Sequence, residues 1–118
     1  MLFRSRSAHT EAAAHVAQAL ELIESLSDRA DRQRLELLLR RDLASSMMLT
    51  RGFASSAVGR AHGRYLELCE EYGAREQIPF ALHGLWNYHF VRGEPAQVHA
   101  DGDRLLAVAG EEIGRAHV

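Results

Sequence analysis

Apolar residues recur at three- and four-residue spacing along almost the whole chain, and no stretch alternates β-branched with polar residues. That period puts apolar side chains on one face of a helix and denies a strand its two-sided pattern, so an all-α fold is expected. Five helices are separable. The first is expected over about residues 11–26, capped by Thr10, with Val16, Ala19, Leu20, Ile23 and Leu26 on one face. The second follows Asp28 and runs to about Arg51, with Leu35, Leu38, Leu39, Leu43, Met47 and Met48 at its apolar positions and Gly52 suited to end it in a left-handed conformation. The third, about residues 55–72, buries Val58, Ala61, Tyr65, Leu66, Leu68 and Cys69 ahead of Gly73. Pro79 and Pro95 stand where a first helical turn accepts proline, whose missing N–H has no partner there anyway. They open a fourth helix to about Arg92 and a fifth to about Ala109.

Composition narrows the function classes. A chain of 118 residues, 47% apolar and 25% charged, has the balance of one domain with a modest core. A net charge of −2 offers nucleic acid no basic footprint, and the apolar runs fall far short of a membrane span. A single cysteine, Cys69, excludes an intramolecular disulfide and fits a reducing compartment, so the cytoplasm is the expected location. All fourteen basic residues are Arg. This is the usage a GC-rich genome imposes, and it excludes a phosphate-binding loop ending in Lys as well as Schiff-base chemistry.

The chain repeats. LASSMMLTRG, Leu43 to Gly52, aligns with GLWNYHFVRG, Gly84 to Gly93, and both end in Arg-Gly. One gap later, VGRAHGRYLELC from Val58 aligns with VHADGDRLLAVA from Val98. The period is about 40 residues, within the range of helical-pair solenoids. Helix one matches a second member of such a pair through ALELI against YLELC, so the helices read second, first-second, first-second.

The block from LASSMMLTRG to YLELCEEYG, then FALHGLWNYHFVRGEPAQ and DRLLAVA, resembles the tetratricopeptide-type repeat region of large bacterial multidomain regulatory ATPases. These include proteins carrying a class III adenylate/guanylate cyclase domain. The resemblance implies antiparallel helix pairs stacked as an α-solenoid. It further implies a non-catalytic interaction or sensor segment of a signalling protein, whose partner is a protein, a peptide or another domain of the same parent. Val98, where the repeat prefers Ala, and Gly102, where a larger residue is common, depart from the pattern. A freestanding repeat adaptor and a helical metal-dependent hydrolase are the alternatives.

Both ends read differently. EIGRAHV, residues 112–118, is the translation of one frame of a common short-read sequencing adapter, and MLFRS, residues 1–5, matches its reverse complement. Residues 1–5 and 112–118 are therefore expected to be non-native, leaving 6–111 as the repeat segment. Apolar faces built for internal stacking would then be uncovered at both ends, and marginal stability or self-association is expected.

Leu82, Leu85, Trp86, His89 and Phe90 share a face by helical spacing. Leu85, Trp86, His89 and Phe90 are expected to pack between repeat helices, with Gly52 and Gly93 as the matching helix stops. Asn87 and Tyr88 lie off that stripe, and with Arg51 and Arg92 they are the candidate groove contacts. No two of His9, His15, His62, His83, His89 and His99 are spaced as a helical metal pair, and no catalytic triad or carboxylate pair is favoured, so neither metal, cofactor nor catalytic residue is expected. Cys69 sits in an apolar stripe and is expected to be buried and inert. Asp101 with Asp103, Glu70 with Glu71 and Arg40 with Arg41 are expected on solvated faces.

Overall fold

The computed structural model describes residues 2–116. Among these residues the chain forms five α-helices and no strand: α1 (Leu2–Leu22), α2 (Arg29–Arg51), α3 (Ser56–Glu71), α4 (Ile78–Val91) and α5 (Pro95–Ala116). Short 3-10 turns at Ile23–Ser25 and Arg75–Gln77 lead out of α1 and into α4. The all-α expectation holds. Of the terminal stretches expected to be non-native, Met1, His117 and Val118 lie outside the described residues, and the remainder continues α1 and α5 as helix.

Local chemistry sets the boundaries of the middle helices. The Asp28 carboxylate accepts the Asp31 N–H at 3.0 Å and caps α2, and the Ser55 hydroxyl accepts the Ala57 N–H at 3.3 Å at the start of α3. α3 and α4 end alike. The N–H of Ala74 reaches the Cys69 carbonyl at 2.8 Å and that of Glu94 reaches His89 at 3.0 Å, around Gly73 and Gly93 with φ +70° and +67°. This is the Schellman closure, which needs a left-handed residue at the turn. Gly52 ends α2 differently. Its φ of +90° is positive as expected, but ψ is 150°, so the chain leaves extended and not in the left-handed helical well.

Two boundaries correct the sequence reading. Thr10 lies inside α1 and does not cap it, because the helix begins at Leu2. α5 passes through Gly110 and Gly114 to Ala116, since neither glycine takes the positive φ that would stop it.

Each helix packs chiefly on its neighbours in the chain, α1 on α2 and so on to α4 on α5. The molecule measures 43 × 41 × 22 Å, and its short dimension is about two helix diameters. The main apolar cluster gathers Leu37 of α2, Tyr65, Leu66, Leu68 and Cys69 of α3, Ala74, and Ala81 and Leu82 of α4. Leu85, Leu105 and Val108 flank it. It therefore lies where the second half of α3 meets the first half of α4. The Tyr65 hydroxyl donates to Gln77 at 2.6 Å, which satisfies a phenol buried completely.

Candidate functional site

α4 is used on three sides. Towards α3 it presents Ala81, Gly84 and Tyr88, and the two helices meet through a reciprocal pair of ring-on-glycine contacts. The Tyr88 ring rests on Gly59, where a Cβ would fall 2.5 Å from it, and the His62 ring rests on Gly84, where a Cβ would overlap the imidazole. Towards α5 it carries His89, whose Nδ1 lies 2.5 Å from the Asp101 carboxylate with both side chains largely covered. The third side faces outward and holds His83, Trp86 and Phe90.

Those three residues stand at i, i+3 and i+7, so their rings form a ladder up one helix face. His83 and Trp86 lie nearly parallel with centroids 6.3 Å apart, and Trp86 and Phe90 follow at 5.3 Å. His83 is exposed, Trp86 half-buried and Phe90 60% exposed. At its upper end the ladder opens into a shallow cleft of about 270 Å³ lined by Phe90, Gly93, Glu94, Pro95, Val98 and His99. Ring side chains that present large, stiff, partly wetted surfaces are the groups that dominate protein interfaces.

The expected packing stripe is thus split. Leu82 is fully buried and Leu85 and His89 are partly so, whereas Phe90 is not a packing residue. The reason is that α4 packs on both α3 and α5, which centres its buried arc on Ala81, Leu82, Gly84 and Leu85 and turns Trp86 and Phe90 to the edge and beyond. Asp101, expected on a solvated face, is buried because it pairs with His89.

The four candidate groove contacts do not form one cluster. Arg51 is exposed on the last turn of α2, and Asn87 is half-buried. Tyr88 is committed to Gly59. Arg92 donates to the Ala54 carbonyl at 2.9 Å and to Glu94 at 2.6 Å, with its guanidinium 5.2 Å from the Tyr88 ring centre. Tyr88 and Arg92 thereby tie the far end of α4 to the start of α3. The repeat register could have located the outward face: residues 42, 45 and 49 of α2 correspond to 83, 86 and 90 of α4, and Leu49, opposite Phe90 in that register, is likewise exposed at 52%.

Burial sets the chemistry of the remaining titratable groups. Desolvation pushes the Cys69 thiol up to about 11, so it holds almost no thiolate near neutrality. Tyr72 is pushed up to about 12, first by the hydrogen bond its hydroxyl donates to Glu36 and then by burial. Burial, with His83 nearby, holds His62 below its ordinary value. Among the described residues no group of three or more His, Cys, Asp or Glu side chains is arranged to hold a metal, and no helix is long and apolar enough to cross a membrane.

Comparison of the chain with protein-family models, with curated proteins and with solved structures returns no match.

Proposed function

We propose that this chain is a protein-interaction or sensor repeat segment of a bacterial multidomain regulatory ATPase, of the kind that includes cyclase-linked members, and that it is non-catalytic in itself. It acts in the cytoplasm by binding a protein, a peptide or another domain of its parent through its first-member helices, α2 and α4. One observation carries the reading: α4 satisfies two neighbours with two of its faces and still stacks His83, Trp86 and Phe90 on the third. A fold class has no function until a site gives it one, and this outward face is the surface built for contact. The approximately 40-residue period and the packing of each helix on its neighbours in the chain support the solenoid reading.

The test is selection of peptides from a displayed library on the purified chain, followed by binding to a Trp86→Ala, Phe90→Ala double variant. Peptides should bind the parent chain and lose at least tenfold in affinity on the variant, a change of about 1.4 kcal/mol. Equal binding to both proteins would refute the assignment of this face. Tightly held stoichiometric metal in the purified chain would instead favour a hydrolase.

A further inference from the structure

His62 is 2% exposed, yet its ring makes no ordinary hydrogen bond. Nδ1 is buried without a partner, and Nε2 lies 3.1 Å from the Met48 sulfur, a weak acceptor on α2. The ring rests on Gly84 of α4, so it fills the gap between α3 and α4 as a wedge. The joint it fills is asymmetric. One end is fixed by the apolar cluster of Tyr65, Leu68, Ala81 and Leu82, whereas from His62 onward it is closed by rings on glycines and by the Arg92 contact to Ala54.

We propose that His62 is a proton-operated latch on the α3–α4 joint: neutral, it closes the joint over Gly84, and protonated, it leaves for water and lets the α4–α5 pair swing about the apolar cluster. An imidazolium in this position would face the Met48 sulfur from α2 and have His83 of α4 nearby, neither of them an anion. Burial and His83 both disfavour the charged ring. The direction follows from linkage. The closed state holds the ring below its ordinary value, so closure is complete above about pH 6.5 and weakens as pH falls; each unit multiplies the open-to-closed ratio by up to about tenfold until the closed-state value is passed. The inference does not depend on what the chain binds.

The test uses the full chain with Ser56→Cys labelled by dansyl as acceptor and Trp86, the only tryptophan, as donor. A His83→Gln background removes quenching by the neighbouring imidazole. Between about pH 8 and pH 5, energy transfer should fall reversibly while far-UV circular dichroism holds, and His62→Leu should flatten the profile. An unchanged profile in His62→Leu, constant transfer in the parent, or simultaneous loss of transfer and helicity would overturn the proposal. If His62→Leu does not fold, the His62 ring resonance in the parent decides. It must titrate over the same pH window as the transfer signal, and a different window overturns the latch.

Discussion

Replacing Gly84 by Ala is the sharpest test of the α3–α4 joint. In an open helix interior the change stabilises by about 1 kcal/mol, because glycine gives up more backbone freedom on folding. At Gly84 the new methyl would occupy the space of the His62 imidazole, which in the closed joint at neutral pH is a buried ring with helix on both sides. Overpacking of that kind costs about 1–3 kcal/mol, and set against a helix gain of about 1 kcal/mol it leaves a net loss of up to about 2 kcal/mol and a melting point lower by up to roughly 10 °C. Urea and thermal unfolding followed by circular dichroism measure it. Gly63→Ala, on α3 with nothing within 4 Å of the added Cβ, is the control and should stabilise. Gly59→Ala should fall between the two, since the Tyr88 atoms it meets are the outer end of a ring that can tilt. In a His62→Ala background, Gly84→Ala should recover most of its loss. If Gly84→Ala stabilises as much as Gly63→Ala does, or if its cost is unchanged without the His62 ring, the ring-on-glycine joint is refuted.

Other outcomes follow from burial. Leu82→Ala, in the main cluster, should cost about 2–5 kcal/mol, whereas Phe90→Ala on the outward face should stay within about 0.5 kcal/mol of the parent; matching losses in urea titrations would refute the split of the stripe. Cys69, with its thiol pushed up to about 11, should react with an aromatic disulfide only as the chain unfolds, so labelling at neutral pH in the absence of denaturant would contradict its burial. Tyr65→Phe removes the hydroxyl that donates to Gln77 and should cost about 1 kcal/mol by thermal unfolding; a neutral result would mean that the hydrogen bond contributes nothing net.

What the sequence could convey followed from how local each cause is. Ser55, Asp28, Pro79, Pro95 and the glycines at 73 and 93 act within a turn of themselves, so the boundaries of α2, α3 and α4 were legible. The outer ends were not: a Thr followed by Glu looks like a start, and Gly110 looks like a stop, but neither compels the backbone to leave a helix already growing through Ala-rich sequence. Phe90 was misplaced because a stripe read along one helix does not say how many neighbours that helix has. With one neighbour the stripe would be buried whole; with α3 and α5 the buried arc turns towards Ala81 and Gly84. The His62–Gly84 contact and the His89–Asp101 pair depend on how two helices cross, which no single-helix pattern contains. The outward face was nonetheless recoverable, since His83, Trp86 and Phe90 fall at i, i+3 and i+7 and the repeat aligns Phe90 with the exposed Leu49.

Isotope-edited NMR of the chain with a peptide selected on it tests the central claim most directly, because shifts report on every residue at once. Binding through the outward face of α4 predicts that the largest shifts fall on His83, Trp86 and Phe90 and on the adjoining cleft at Val98 and His99. Shifts concentrated on Leu106 and Ile113 of α5, or spread evenly with none on the ring ladder, would contradict it.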